Sequence, residues 1–238
     1  MALTFTALAA ANATTTNQST AYTGNAGTPS VNDILVCLVM CSGNNTVGTL
    51  SGGGWTWNLL TSFTKLAGAD IVSVWYAHVT TALTSTTPSY LPAAAATGCI
   101  ISCVRVTGQE GINVPYVRQI AINNVGATTT NPTVTFANAP LTNNGILAFG
   151  LSNTSNNSRW TAPTAFTELS QVSYSTPNNA FQTVTRGSGQ TAVTLTWTNS
   201  QNDQWATWAV EFYTSGTGPT APNDSGFGNG FFGGINTL

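Results

Sequence analysis

Charged side chains are the scarcest feature of this sequence. Lys and Arg together contribute 5 of the 238 residues and Asp and Glu contribute 7, so that 5% of the chain is charged, against roughly 25% in a typical soluble domain. The formal net charge is −2, and the basic residues form no cluster. The sequence therefore offers no electrostatic footprint for nucleic acid or for an anionic membrane, and we expect neither as a partner.

Long hydrophobic runs are also missing. The longest run, Ile34–Cys41, stops well short of the about 20 residues that a membrane-spanning helix needs. The first residues lack a basic segment, and Thr4 and Thr6 interrupt their apolar stretch, so we expect no cleaved signal peptide. Disorder is excluded on other grounds, because 42% of the residues are hydrophobic and 10% are aromatic, whereas disordered chains combine low hydrophobicity with high charge.

Sequence motifs of catalysis are absent. The chain contains no P-loop, no H-E-x-x-H and no EF-hand loop. The single histidine, His78, lies in a strand-like segment, and no G-x-S-x-G motif accompanies it, which favours a structural role. Asp33, Asp70 and Asp203 precede predicted strands, where turn-forming Asp is common, whereas glycoside hydrolysis needs two facing carboxylates. We therefore expect no catalytic residue, no metal site and no cofactor.

What the sequence does contain is a succession of strand signals. Apolar or alternating segments rich in β-branched and aromatic residues recur between Gly, Asn, Pro and Ser, and no segment shows an apolar stripe at helical spacing. The clearest segments are Ile34–Cys41, Ile71–Val79, Cys99–Val106, Ile146–Leu151, Ala192–Thr198 and Trp205–Tyr213. Weaker ones are Thr4–Ala9, Thr20–Thr23, Val117–Ile122, Thr133–Ala137 and Phe181–Arg186. This spacing predicts an all-β chain with an antiparallel, sandwich-like or jelly-roll-like architecture.

An internal repeat divides the chain. The string ATTTN occurs at Ala13–Asn17 and again at Ala127–Asn131, and in both copies a short strand and a long apolar strand follow it. The long apolar strand begins at Asn32–Leu35 in the first copy and at Asn144–Leu147 in the second. Both copies end in a broad strand that runs into Thr. We predict two closely packed β-sandwich repeats, residues 1–108 and 109–214, followed by an extended arm over residues 215–238.

The cysteines form two pairs within strand signals. Cys37 and Cys41 lie on one predicted strand, and Cys99 and Cys103 lie on another. If these strands are antiparallel neighbours in register, Cys37 opposes Cys103 and Cys41 opposes Cys99, an arrangement compatible with buried free thiols, with disulfides or with zinc. The repeat alignment places Phe149, Asn153, Trp205 and Ala209 at the matching positions, so we favour free thiols in a partly apolar environment.

Tryptophan suggests a second kind of site. Trp55, Trp57 and Trp160 lie in loop-like sequence and could stack on sugar rings, whereas the others lie on predicted strands and are expected in the core. The core set is Trp75, Trp197, Trp205 and Trp208.

The last segment differs in composition. Residues 215–238 are dense in Gly and Pro and carry aromatic residues among the glycines, a composition typical of a flexible tail. The functional interpretation is an arm that docks on a neighbouring subunit, and the alternative is a tail that packs on its own domain. The predicted partner contacts of the arm are Phe227, Phe231, Phe232 and Leu238.

The order of these elements resembles that of tailed-bacteriophage virion structural proteins with a duplicated β-sandwich module, of the capsid decoration, cement or tail-associated type. The resemblance covers residues 13 to 214 and implies no catalytic residue. It rests on the segments Pro29–Val31, Asp33–Val36, Gly54–Thr56, Val74–Ala77 and Arg105–Gly108.

These observations lead to a functional expectation. We predict a non-enzymatic virion structural protein, located on the capsid surface rather than the tail, that decorates the capsid and bridges coat subunits. Its expected partners are the major coat protein or other virion subunits and further copies of itself, for example in a trimer. The alternative is a receptor-binding or glycan-binding module of a phage tail or cell surface, and a hydrolase is a third class.

Overall fold

The chain folds entirely from β-strands in the residues that the structure describes. The computed structural model describes residues 3–65, 70–81, 84–109, 117–124, 128–153, 160–175 and 178–214. Within these residues there is no helix, and hence none long and apolar enough to cross a membrane. The strands are β1 (Thr4–Ala7), β2 (Asn12–Thr14), β3 (Tyr22–Thr23), β4 (Ile34–Ser42), β5 (Thr49–Ser51), β6 (Asn58–Lys65), β7 (Asp70–His78), β8 (Ser89–Leu91), β9 (Gly98–Thr107), β10 (Val117–Asn123), β11 (Thr128–Thr129), β12 (Thr133–Thr135), β13 (Gly145–Ser152), β14 (Trp160–Thr161), β15 (Thr167–Ser175), β16 (Asn178–Arg186), β17 (Thr194–Thr196), β18 (Thr198–Asn199) and β19 (Asp203–Phe212).

Two large antiparallel sheets form the centre of the molecule. The first has the strand order β1-β9-β4-β7-β6, with β2 also pairing with β9. The second has the order β10-β19-β13-β16-β15, with β11 also pairing with β19. When strands are matched in chain order, the two sheets have the same topology. A duplicated unit predicts this equivalence, while the duplication and the division at residue 108 stay predictions.

Three smaller sheets complete the layers. In the first half, β3, β8 and β5 form a three-stranded sheet, and in the second half β12 pairs with β17 and β14 pairs with β18. The molecule is therefore an antiparallel β-sandwich in which the large sheets lie back to back and the small sheets cover their outer faces.

The main core lies between the two large sheets. Strand β4 contributes alternate side chains to this core, and strand β13 contributes its own alternate side chains from the opposite sheet. The ring of Phe149 is at its centre, with ring centroids 5.3 Å from Phe181, 5.2 Å from Trp208 and 6.4 Å from Phe63. Burial of this apolar surface holds the two sheets together.

Each large sheet also buries its outer face. The other side chains of β4, Leu35, Cys37, Val39 and Cys41, pack in a second core beneath the first small sheet. Ile146 and Ala148 of β13 pack in a third core with Trp197 beneath the small sheets of the second half. Because both faces of β4 and β13 are buried, these strands need continuous apolar sequence rather than alternation.

The structure confirms the all-β class and the six clearest strand predictions, except that Ala192–Thr198 is divided between β17 and β18. Two edge strands, β6 and β15, were not predicted. Each contains a β-bulge, between Leu59 and Thr61 in β6 and between Glu168 and Ser170 in β15. A bulge shifts the inward-facing positions by one residue and breaks the period of two that identifies a strand.

The repeat alignment matched Cys37 of the first copy with Phe149 of the second, and Cys41 with Asn153. The structure shifts this match by one residue. Cys37 faces the outer core, whereas Phe149 faces the main core between the sheets. A slip of one residue along a strand reverses the face of every side chain. The positions that share a face with Cys37 and Cys41 in matched strands are Ala148 and Ser152.

The central position of Phe149 generates a prediction. Phe149→Ala should lower the free energy of unfolding by about 3–5 kcal/mol, because the variant loses buried ring contacts and leaves a cavity. Leu59→Ala, at a side chain that is 42% exposed, should change stability by less than about 0.5 kcal/mol. Urea unfolding followed by tryptophan fluorescence measures both, and similar losses in the two variants would contradict this description of the core.

Candidate functional site

The candidate functional surface is the set of sheet edges. In the described part of the chain the first large sheet ends at β6 on one side and at β1 and β2 on the other. The second ends at β15 on one side and at β10 and β11 on the other. An edge strand presents unpaired backbone N–H and C=O groups and can pair with another chain.

Strand β6 is a long edge strand with little protection against pairing. Asn58, Leu59, Ser62 and Thr64 are exposed and uncharged, and Leu59 is 42% exposed. The one charged residue of the strand, Lys65, is buried at its end. Natural edges are usually guarded by exposed charge, bulges or Pro. Strand β6 has a bulge between Leu59 and Thr61, and the backbone O of Thr64 accepts a hydrogen bond of 3.1 Å from Nδ2 of Asn124.

The two edges of the second large sheet use their charged side chains internally. Arg118 of β10 forms an ion pair of 2.6 Å between its Nη1 and Oε2 of Glu211. Glu168 of β15 is exposed, but its Oε2 accepts a hydrogen bond of 2.7 Å from Nε2 of Gln182 on the neighbouring strand. These edges therefore present less free charge than their sequences indicate.

Glu211 is the most enclosed acid in the described residues. It is 0% exposed on β19, and its Oε2 accepts hydrogen bonds from Arg118 and from Nε2 of Gln119. Its Oε1 accepts from Nδ2 of Asn144 at 2.7 Å and from the backbone N of Leu141 at 2.8 Å. Four donors satisfy the carboxylate, so the cluster ties β10, β19 and the turn before β13 together.

The first half carries a charge of opposite sign, Arg105, at the position that corresponds to Glu211. Arg105 lies opposite Leu35 in the β4–β9 ladder, as Glu211 lies opposite Ile146 in the β13–β19 ladder. Nε of Arg105 lies 2.7 Å from Oδ2 of Asp33, in the turn before β4. In both halves a charged side chain on the last long strand therefore holds the turn that starts the central strand. The sequence placed Asp33 in that turn correctly, but it assigned no partner to either acid.

A second polar cluster connects the two large sheets. Nζ of Lys65 donates to Oδ1 of Asn179 on the opposite sheet and lies 3.4 Å from Oδ2 of Asp70. Nδ2 of Asn179 donates to Oγ of Ser42 at 3.0 Å, and Ser42 lies 2.6 Å from the hydroxyl of Tyr174.

Burial shifts the pKa values of two groups in this cluster. It lowers the pKa of Lys65, an effect that the nearby Asp70 carboxylate partly offsets, and it raises the pKa of Tyr174. The Lys65 side chain therefore links the two sheets. It is buried together with Asn179 and is not exposed to solvent.

The cysteines lie as the sequence predicted. Cys37 is opposite Cys103, and Cys41 is opposite Cys99, on the neighbouring central strands β4 and β9. All four are buried and free of disulfides in the structure, and burial raises the pKa of Cys37 and of Cys99. The described residues contain no group of three or more His, Cys, Asp or Glu side chains arranged for a metal ion.

The structure separates the three candidate sugar-stacking tryptophans. Trp160 is 5% exposed, donates its Nε1–H to Oγ of Ser152 and packs edge to face on Trp197. Its prediction as a loop residue facing a glycan is therefore wrong, because strand β14 carries its ring into the third core. Trp55 and Trp57 are half-buried against the second core, and Nε1 of Trp57 donates to the backbone O of Gly52 at 3.0 Å.

The remaining tryptophans and the histidine take their predicted places. The four tryptophans assigned to the core are buried, with exposures of 7% or less, and they are Trp75, Trp197, Trp205 and Trp208. His78 ends β7 opposite Ile34 and is partly buried. The predicted arm contacts Phe227, Phe231, Phe232 and Leu238 lie outside the described residues.

Comparison with known proteins identifies no relative: no family model, no curated protein and no solved structure matches the chain.

The Glu211 cluster generates a prediction. Glu211→Gln should lower the free energy of unfolding by about 3–5 kcal/mol, because it removes one partner of a buried ion pair and leaves Arg118 without its counter-charge. The matched control is Glu168→Gln, which makes the same change at an exposed strand position and should cost less than about 1 kcal/mol. Urea unfolding compares the two, and equal losses would show that the buried carboxylate is not a special structural element.

Proposed function

We propose that this chain is a non-enzymatic structural protein of a bacteriophage virion, one that decorates the capsid and bridges coat subunits. The observation that carries the proposal is the charge-free edge of β6, which offers backbone hydrogen-bonding groups and exposed Leu59 to a neighbouring subunit. An edge without exposed charge is a liability for a free monomer, but an assembly that covers the edge removes the liability.

The use of the acidic residues supports a structural role. Each acid in the described residues accepts a hydrogen bond from another part of the same chain. Three of these acids, Asp33, Asp70 and Glu211, also form ion pairs with basic residues. These carboxylates therefore stabilise turns and sheets. This use favours a structural function over one in acid–base catalysis.

The scarcity of charge supports contact with other copies or with coat subunits. Surfaces of soluble monomers normally carry roughly 25–35% charged residues, which keep molecules apart, whereas this chain has 5% overall. Because the net charge is −2, electrostatic repulsion between copies is weak. Copies of the chain can therefore pack closely on a lattice. Homo-oligomers and the major coat protein are the partners that we propose.

Receptor or glycan binding is the second candidate function. Trp55 and Trp57 favour it, because both indoles are partly exposed and lie two residues apart between β5 and β6. Without the buried Trp160, the aromatic platform is smaller than the sequence indicated. A glycan array with the Trp55→Ala and Trp57→Ala variants tests this candidate, and binding to a glycan that both variants lose would favour it over capsid decoration.

Cryo-electron microscopy of purified virions from the phage that encodes this chain tests the proposed function. We expect repeated surface density on the capsid lattice into which the sandwich of residues 3–214 fits. Absence of the chain from purified particles, judged by mass spectrometry, would contradict the proposal. Density restricted to the tail would contradict capsid decoration and favour the receptor-binding candidate.

Two variants test which part of the chain makes the contact. Ser62→Lys places a charge on the β6 edge and should weaken attachment to virions at least about tenfold, which corresponds to roughly 1.4 kcal/mol. Leu91→Lys adds the same charge at an exposed site on a strand paired on both sides and should attach normally.

Deletion of residues 215–238 tests the predicted arm and should abolish attachment while circular dichroism shows an intact sandwich. Full attachment of both Ser62→Lys and the truncated chain would contradict the proposed contacts.

A further inference from the structure

The four cysteines occupy two rungs of one ladder between neighbouring strands. Cys37 lies directly opposite Cys103, and Cys41 lies directly opposite Cys99. All four side chains face the second core, together with Leu35 and Val39.

Residues directly opposite each other on antiparallel strands have Cα atoms about 4.5 Å or about 5.5 Å apart, depending on the rung. A disulfide needs a Cα separation of about 4.4–6.8 Å. Rungs alternate from one residue to the next, and the two pairs are an even number of residues apart, so both pairs belong to the same class of rung. Both pairs therefore lie within the range of Cα separations that a disulfide needs.

We propose that Cys37–Cys103 and Cys41–Cys99 are a site of paired oxidation, which forms two cross-strand disulfides when the chain folds in the presence of a small-molecule disulfide such as oxidised glutathione. This inference is independent of the proposed function, because it rests on the strand register alone.

The chemistry balances for each bond. One cysteine thiolate attacks a sulfur of oxidised glutathione, which releases one glutathione thiolate and leaves a mixed disulfide. The opposite cysteine thiolate then attacks the protein sulfur of that mixed disulfide and releases the second glutathione. The two cysteines lose two electrons and two protons in total, and one molecule of oxidised glutathione is reduced to two of the thiol.

The register selects one of the three connectivities that four cysteines allow. Cys37 and Cys41 lie four residues apart on one strand, which at about 3.3 Å per residue separates them by about 13 Å. The same offset separates the diagonal pairs, Cys37 from Cys99 and Cys41 from Cys103. Only the directly opposite pairs lie within bonding distance.

Burial determines when the bonds form. Cys37 and Cys41 are 0% exposed, Cys99 is 1% exposed and Cys103 is 6% exposed. Thiolates are the reactive species, and thiols buried among apolar side chains react slowly. We therefore expect oxidation during folding, before the small sheet covers this face, and slow oxidation of the folded, reduced protein. Once formed, the same burial should protect the bonds from reductants.

The test is refolding of the full chain under two redox conditions. The protein is unfolded in denaturant with reductant, freed of reductant, and refolded with a mixture of oxidised and reduced glutathione or with reduced glutathione alone. Intact-mass spectrometry should show that the first product is lighter than the second by about four mass units, the hydrogens lost in forming two disulfides. The oxidised product should also have a higher urea midpoint. Free thiols or glutathione adducts as the main product would overturn the proposal.

Two double variants test the pairing. Cys37→Ala/Cys103→Ala keeps one opposite pair and should form one disulfide, whereas Cys37→Ala/Cys99→Ala leaves the diagonal Cys41 and Cys103 and should form none within the chain. Equal disulfide formation in both variants would overturn the assigned pairing. If either variant fails to fold, peptide mapping of the oxidised natural chain decides the same question, because Cys37–Cys103 and Cys41–Cys99 give linked peptides different from those of the other connectivities.

Discussion

The apolar layer between the two large sheets is the interaction on which the rest of the structure depends. Side chains of β4 and β13 fill this layer from opposite sides, with Phe149 stacked among Phe63, Phe181 and Trp208. Neither large sheet could expose this face to water without losing most of its stabilisation, because burial of apolar area is the main force in folding. The two halves of the chain therefore form one sandwich, whatever their history.

The shared core also explains how the chain uses its few charges. Lys65 connects the sheets at one end of the layer, and Glu211 and Arg105 hold the turns that lead into the central strands. Since burial of an unpaired charge is unfavourable, each of these groups has a partner of opposite sign. The surface of the described residues is rich in Thr, Ser and Asn, and the edge of β6 has no exposed charge. An outer surface of this kind fits a protein that packs against other subunits.

The sequence predicted most of the fold, because β4, β9, β13 and β19 are long apolar segments that remain strands wherever they pack. It even predicted the opposition of Cys37 with Cys103, which depends on antiparallel pairing in the register that brings both cysteine pairs together. It missed β6 and β15, because their bulges place inward side chains three residues apart, as at Leu60 and Phe63. The Glu211 cluster was also missed, since its donors come from distant segments, although a lone acid within an apolar strand was a signal for buried partners.

Differential scanning calorimetry of the full chain tests the shared core most directly. If the layer between the large sheets holds both halves together, the chain unfolds in one transition whose calorimetric enthalpy equals its van't Hoff enthalpy. Two separate transitions, or a calorimetric enthalpy about twice the van't Hoff value, would show that the halves fold independently and would contradict the account.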